Sequence, residues 1–141
     1  MNMATDEFKI NLNLHHPSCD PETITETLAL KPWFAKKNGD KVGNVTHKKT
    51  TWLCQFRSGA FDSKFATALE DVVTLLSKHE AFFAGFIEQG GEVELVLNSM
   101  VDTVVAKGDK LLELNLHPWF LKQLGEHGIN LRMQAWSAES E

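Results

Sequence analysis

The chain has 141 residues, of which 43% are hydrophobic and 23% are charged, with a formal net charge of −5. This length is enough for a single domain, 1–141, whose core needs neither metal ions nor disulfides, and we expect disordered tails at 1–6 and 137–141. The polar start of the chain does not form a secretory signal, and no apolar run approaches the roughly 18 residues that cross a bilayer. Because Cys19 and Cys54 are too few for a disulfide scaffold, the composition predicts a cytoplasmic protein without a membrane segment.

Charge is distributed unevenly along the sequence. The segment 31–57 contains seven basic residues and one acidic residue, so it carries +6 and leaves −11 for the rest of the chain. The basic residues are Lys31, Lys36, Lys37, Lys41, Lys48, Lys49 and Arg57. A basic patch on an acidic body can steer an anionic partner toward it, although solvated lysines that keep a loop soluble give the same pattern.

The first elements follow from alternation and capping. Residues 8–14 alternate between apolar and polar side chains, which predicts a half-buried strand. Asp20 can cap a following helix that begins at Pro21, and Pro32 ends it. Residues 36–50 are polar and contain turn signals, and two valines there are compatible with a small hairpin.

The middle of the chain predicts a strand followed by two helices. Residues 51–57 alternate again, with Trp52, Cys54 and Phe56 inward and Gln55 and Arg57 outward. A long helix at 62–78, capped by Asp62 or Ser63, carries apolar residues at helical spacing. A second helix at 81–87 follows a bend near His79.

The remaining strands complete a two-layer fold. Alternation predicts strands at 92–98, 111–116 and 129–136, with a short helix between the last two. The order β-α-β-α-β-β-α-β, with strands apolar on one face only, predicts an α+β sandwich. In it, helices cover one face of an antiparallel or mixed sheet of about five strands.

A strand followed by His-Pro and a helix occurs twice, and it supplies the candidate ligand residues. The two stretches are Leu12-Asn13-Leu14-His15-His16-Pro17 and Leu114-Asn115-Leu116-His117-Pro118. If the corners lie side by side, His15, His16, Cys19 and His117 could line one pocket for a small ligand or zinc. Adjacent histidines on an extended chain point in opposite directions, and no paired CxxC or HxxxH accompanies them. We therefore predict no metal site and no cofactor, and we regard the repeat as mainly architectural.

Catalytic and nucleic-acid functions have less support. Cys54 falls on an apolar strand face, whereas Cys19 precedes a helix that could lower its pKa, but no Cys-His motif surrounds it. The basic segment is interleaved with Trp33, Phe34 and other aromatics, a mix that suits single-stranded nucleic acids. The acidic total and the lack of outward aromatics on the sheet argue against that reading.

The polar face of the sheet and the lysines are the candidate partner-binding residues. An uncovered face rich in amides can recognise a protein surface, but any exposed antiparallel face must also be polar for solubility. The candidates are Asn11, Asn13, Lys36, Lys37, Lys48, Lys49, Arg57 and Arg132. Homodimerisation through this face or an edge strand is a further alternative.

Several short motifs resemble a bacterial family catalogued as domain of unknown function 4279. They are Asp20-Pro21-Glu22-Thr23-Ile24 with Leu28 and Pro32, Asn38-Gly39-Asp40, Trp52, Gly90-Gly91-Glu92-Val93-Glu94, and Leu121, Leu124 and Gly128-Ile129. The resemblance covers nearly the whole chain, but Trp136 stands where a tyrosine-like aromatic is expected. It implies no activity and no site residues, and some members are similar in kind to toxin-neutralising or immunity proteins.

These observations favour a non-enzymatic interaction protein with an immunity-like or regulatory role and a protein partner. The alternative is a small-ligand or metal-binding protein, either a sensor or a small enzyme, that uses a pocket near the His-Pro corners.

Overall fold

A computed structural model of the chain describes residues 6–102 and 114–138. In chain order its elements are β1 (Glu7–His16), α1 (Pro21–Leu28), β2 (Phe34–Lys36), β3 (Lys41–Val42), β4 (Val45–Thr46), β5 (Thr50–Ala60), α2 (Phe61–Lys78), α3 (Glu80–Glu88), β6 (Glu92–Asp102), α4 (Pro118–Glu126) and β7 (Asn130–Ala138). None of the helices in these two ranges combines the length and the apolar character needed to cross a membrane.

The main sheet has five strands in the order β2-β5-β1-β6-β7, and β3 and β4 form a separate two-stranded hairpin. Three of the four pairings in the main sheet are antiparallel, and the β6–β7 pairing is parallel. The parallel pair needs a crossover connection, which contains α4. The fold is therefore α+β with a mixed sheet, as the sequence predicts.

One hydrophobic core joins the sheet to the four helices of the described residues. Alternate residues of β1, from Phe8 to Leu14, are buried, as are Trp52 on β5 and Leu95 on β6. Buried side chains of every helix belong to the same cluster, including Ile24 of α1 and Phe120 of α4. Since one face of each strand is apolar, packing the helices on that face removes most of the apolar surface from water.

The fifth strand differs from the predicted one. Residues 114–116, the described part of the expected strand at 111–116, form no regular structure, and 111–113 lie outside the described residues. The fifth strand is instead β2, which pairs with β5 at the sheet edge over three residues. A strand this short contains too few residues for an alternating pattern to reveal it.

Arg57 is predicted to point outward from the sheet, and this prediction is wrong because β5 contains a β-bulge. The β1–β5 register shifts between Ile10 and Asn11, which pair with Arg57 and Gln55, so Phe56 is the extra residue. After the bulge Arg57 faces the helices, where its Nε donates to Asp71 Oδ2 of α2 at 2.9 Å. Alternation across a bulge assigns the following residue to the wrong face of the sheet.

Other boundaries shift by a few residues. The long helix begins at Phe61, with Ala60 as an N-cap that makes no side-chain hydrogen bond, so neither Asp62 nor Ser63 caps it. The predicted bend at His79 is confirmed, because this residue separates α2 from α3. Of the expected tails, 1–5 and 139–141 lie outside the described residues, and the first two residues of the C-terminal one belong to β7.

We predict that Gly91→Ala destabilises the fold. A Cβ atom at Gly91 would lie 2.5 Å from the carbonyl oxygen of Phe86 and 2.5 Å from its ring, and backbone cannot give way as a flexible side chain can. We expect the free energy of unfolding, measured by chemical denaturation, to fall by about 1–3 kcal/mol. The matched control is Gly85→Ala inside α3, whose Cβ meets nothing within 4 Å. It should be neutral or stabilise by up to about 1 kcal/mol, and a similar loss in both variants would contradict the packing argument.

Candidate functional site

The first His-Pro corner is organised by the side chain of His16, which is only 3% exposed. Its Nδ1 accepts hydrogen bonds from the backbone amides of Ser18 at 3.0 Å and Cys19 at 2.8 Å. Because Nδ1 is an acceptor, Nε2 carries the proton and donates to Gln89 Oε1 at 3.1 Å. The imidazole also packs on the ring of Phe86, 4.8 Å between centroids. His16 therefore connects the end of β1 to the end of α3.

The same corner is fastened to the strand and loop beside it. The buried hydroxyl of Thr50 donates to the carbonyl oxygen of Cys19. Asn38 Nδ2 donates to the carbonyl oxygen of Pro17 at 2.9 Å. Asp20 caps α1 as predicted, since its side chain accepts from the Glu22 amide at 3.0 Å. Hydrogen bonds from Thr50 and Asn38 and to Asp20 thus hold the chain between β1 and α1, and they fix the position of the first corner.

The second corner repeats the first one locally. His117 Nδ1 accepts from the Trp119 amide at 3.1 Å and caps α4, and Pro118 occupies the first turn. In both corners the histidine Nδ1 accepts a hydrogen bond from the backbone amide two residues later in the chain. In both corners a proline follows the histidine. The two corners are therefore alike in local architecture. They differ in burial, because His117 is exposed whereas His16 is not.

The structure separates the two corners, so the predicted shared pocket does not form. His117 lines a cavity with Phe65 of α2, and the Phe65 ring contacts the ring of Phe8 at 5.2 Å. Phe8 and His16 lie near opposite ends of β1, and eight strand residues span roughly 26 Å. Across the described ranges no group of three or more His, Cys, Asp or Glu side chains is arranged to hold a metal ion.

The two thiols are less acidic than free cysteine. Burial, and then the neighbouring Asp20 carboxylate, raise the pKa of the Cys19 thiol, and burial raises the pKa of Cys54. The expectation that the start of α1 could lower the pKa of Cys19 is therefore wrong. Because the thiolate is the nucleophile, both groups are poorly suited to covalent chemistry near neutral pH.

A cavity of about 240 Å³, here called the corner cavity, opens at the first corner. It is lined by His15, His16, Pro17, Lys48, Lys49, Gly90 and Glu92. It therefore brings together two predicted ligand residues and two predicted partner-binding lysines, but not Cys19. His15 Nδ1 lies 3.3 Å from Thr51 Oγ1. Burial, followed by the charge of Lys49, lowers the pKa of His15, and Glu92 and Glu94 partly oppose this shift.

Residues 36–49, here called the basic hairpin, form an ordered projection beside the first corner. Asp40 Oδ2 accepts from the Lys37 amide at 2.8 Å, and backbone hydrogen bonds join Gly39 and Asp40 to His47. The small hairpin that the sequence allows is confirmed as β3 and β4. At its tip Val42 is 46% exposed and Val45 is 63% exposed. Two apolar side chains therefore project from the most basic part of the chain.

Aromatic side chains connect the basic hairpin to the sheet edge. Trp33, which is 65% exposed, lies 5.9 Å from Phe34 between ring centroids, and Phe34 lies 6.0 Å from His47. Lys37 lies 3.9 Å from the Asp20 carboxylate. The lysines Lys36, Lys41, Lys48 and Lys49 form no ion pair with the described part of the chain.

The polar face of the sheet is less open than predicted. Asn11 and Asn13 are half-buried, and Val96, the neighbour of Asn11 on β6, is only 4% exposed. Arg132 forms an ion pair with Glu94 at 3.1 Å. The Oδ1 atom of Asn11 is buried without a hydrogen-bond partner among the described residues. Lys37, Lys48 and Lys49 are exposed, so these lysines are more accessible than the two asparagines among the predicted partner-binding residues.

A second cavity, of about 350 Å³, lies between α2 and α4 at the second corner. Apolar side chains form most of its wall, among them Phe65, Leu69, Trp119 and Phe120, and His117 and Asn115 also line it. Such a mixture of aromatic walls and a few polar groups is typical of small-ligand pockets. Sequence reasoning identified His117 but missed the residues of α2, since no local pattern shows which helices become neighbours.

In its described residues the chain is a small α+β protein. Four helices cover one face of a mixed five-stranded sheet there, and a basic hairpin projects beside the first His-Pro corner. The chain belongs to the family described as domain of unknown function DUF4279, whose model matches residues 6–138. This confirms the resemblance seen in the sequence. No curated protein and no solved structure matches the chain.

We predict that His16→Ala destabilises the protein much more than His117→Ala. The first substitution removes a buried imidazole, its packing on Phe86 and its hydrogen bonds to two amides, so we expect a loss of about 3 kcal/mol in the free energy of unfolding. The second removes an exposed helix cap and should cost about 1 kcal/mol. His16→Asn, which retains an acceptor oxygen, should fall between them. Equal losses in the two alanine variants would contradict the organising role of His16.

We also predict that His15 makes stability depend on pH. Since burial and Lys49 lower its pKa from the ordinary 6.5, the unfolded chain binds this proton more readily than the folded one. The contribution of neutral His15 is thus complete above pH 6.5 and is lost as the pH falls toward the folded pKa. Thermal unfolding from about pH 7.5 to 5.5 should show a smaller fall in Tm for His15→Gln than for wild type. Parallel curves would refute this role.

Proposed function

We propose that this chain is a non-enzymatic cytoplasmic protein that binds a protein partner through the basic hairpin, in a regulatory or neutralising role like that of immunity proteins. The observation that carries this proposal is the tip of the hairpin, where Val42 and Val45 are exposed next to Lys41. Lys41, and Lys36, Lys48 and Lys49 at the base, have no ion-pair partner among the described residues. Apolar anchors within a charged surround are a common arrangement at protein interfaces.

The order of the hairpin supports binding over simple solubility. A lysine-rich loop that served only solubility would need no fixed geometry, yet Asp40 and His47 hold this one in a defined turn. Asn38 further ties its base to the first corner. A surface that is already ordered loses less conformational entropy when it binds. The hairpin residues 36–49 contain five lysines and one aspartate, a sum of +4, which indicates an acidic partner surface.

The states of the candidate catalytic groups agree with a binding role. The Nδ1 atoms of His16 and His117 accept hydrogen bonds from backbone amides, so neither histidine can act as a base through its Nδ1. The pKa values of both thiols are raised. These groups serve the architecture of the chain, which leaves the hairpin as the best-supported surface for function.

The cavity at the second corner supports a different candidate, a small-ligand-binding protein. Its volume of about 350 Å³ and its aromatic wall could hold a compact apolar molecule beside His117. A ligand bound there would lie between α2 and α4, distant from the basic hairpin. Co-purification can therefore separate the two candidates by both the identity and the position of what binds.

The test uses tagged full-length protein purified from cells at low expression. Wild type should retain one protein in stoichiometric amount, and a tip variant with Val42→Ser, Val45→Ser and Lys41→Glu should bind that purified protein at least about tenfold more weakly. A control with Lys78→Glu and Lys122→Glu changes charge elsewhere on the surface and should bind like wild type.

Three outcomes would overturn the proposal. A captured protein whose affinity is unchanged in the tip variant would remove the hairpin from the interface. A tightly held small molecule without a protein partner, lost on Ala66→Leu at the wall of the second cavity, would favour the ligand-binding candidate. Self-association through the tip in sedimentation experiments, with no other protein bound, would identify a homodimer instead.

A further inference from the structure

We infer that the corner cavity is a carboxylate-binding subsite, which receives an Asp or Glu side chain of an acidic protein segment. This inference rests on the proposed protein-binding function and deepens it, because it specifies the chemistry that the partner must present. The juxtaposition that carries it is the placement of Lys48 and Lys49 against His15 and the end of β1 in one cavity.

The two lysines supply the attraction. Both are exposed, both line the cavity, and neither has an ion-pair partner within the described residues. Consecutive lysines on a surface normally diverge into solvent, but residues 47–49 leave the extended conformation between β4 and β5. A carboxylate entering here would gain two charge-assisted hydrogen bonds, which are stronger than neutral ones.

The two histidines have different roles in the cavity. Both nitrogen atoms of His16 are occupied by Ser18, Cys19 and Gln89, so this ring is a fixed wall. His15 has one nitrogen near Thr51 Oγ1, and its Nε2 makes no hydrogen bond with a described residue. His15 can therefore add a third polar contact to a bound oxygen, while His16 keeps the cavity in shape.

The acidic residue in the lining narrows the choice of ligand. Glu92 opposes the two lysines, so the three side chains sum to +1 when His15 is neutral. A single carboxylate matches this net charge, and Glu92 repels it less than it would repel a doubly charged phosphate. The volume of about 240 Å³ lies below the roughly 300–1,000 Å³ of pockets for small molecules, which favours an occupant the size of a side chain.

The position of the cavity fits a continuous interface with the basic hairpin. Lys48 and Lys49 belong to that hairpin, and Asn38 at its base donates to Pro17, which also lines the cavity. A partner that covers Val42 and Val45 at the tip would extend along the same basic surface toward the first corner. The valines would then supply apolar contact, and the cavity would fix the register through one acidic side chain.

The test is an NMR titration of full-length protein with blocked hexaglutamate, in about 20 mM salt to limit screening. Amide shifts should be largest near His15, Lys48, Lys49 and Gly90, and hexaglutamine should cause none. Lys48→Ala with Lys49→Ala should weaken binding at least about tenfold, whereas Lys78→Ala with Lys122→Ala should not change it. Glu92→Gln, which removes a repulsive charge, should strengthen binding of hexaglutamate.

The outcomes separate this inference from the proposed function. Hexaglutamate shifts scattered over all surface lysines, or unchanged in the Lys48 and Lys49 variant, would overturn the subsite. Tighter binding of inorganic phosphate or an oligonucleotide than of hexaglutamate at the same residues would overturn the carboxylate assignment. In either case a protein partner that still depends on the hairpin tip would leave the proposed function intact. If partner binding did not depend on the tip but hexaglutamate still bound at the corner cavity, the proposed function would fail and the subsite would stand.

Discussion

The structure depends on the pair of hydrogen bonds from the amides of Ser18 and Cys19 to the imidazole of His16. Where β1 turns into α1 these amides have no strand or helix partner, and leaving them unpaired in a partly buried corner would cost free energy. The imidazole Nδ1 accepts hydrogen bonds from both amides, and its Nε2 donates to Gln89. The end of α3, which is distant in sequence, meets the β1–α1 connection at this one side chain, so its conformation sets where the first corner lies.

This use of histidine explains why a cluster that suggested ligand chemistry is architectural. An imidazole that accepts an amide at Nδ1 has one nitrogen left, and in His16 that nitrogen is also occupied. The arrangement recurs at His117, where the residue caps α4. A His-Pro pair suits such a corner, because proline has no amide of its own to satisfy and disfavours continued helix in the residue before it. The doubled motif thus reflects a shared local solution at two separate places.

Local sequence patterns predicted most of the fold, and their failures share one cause. Alternation identified the core face of β1 and helical spacing identified α2, because burial imposes those periods directly. No sequence pattern reveals the edge strand β2, and the strand that alternation predicts does not extend over 114–116, the described part of 111–116. The bulge at Phe56 places Arg57 on the face of the sheet opposite to the one that alternation predicts. Both errors concern pairing between distant segments, which no local period encodes.

The candidate site was likewise predictable only where local sequence was sufficient. The three-dimensional position of the basic hairpin says more about its function than its composition does. Charge counting located the excess of lysines, but only the register of β1 against β5 and β6 places Lys49 and Glu92 around His15. Lysines that merely solvate a loop would spread away from one another to reduce repulsion. Here two of them border a concave surface whose backbone is held by hydrogen bonds from Asn38 and Thr50 and to His16. An opposite charge that enters this surface is attracted by both lysines, which favours an anionic partner at this corner.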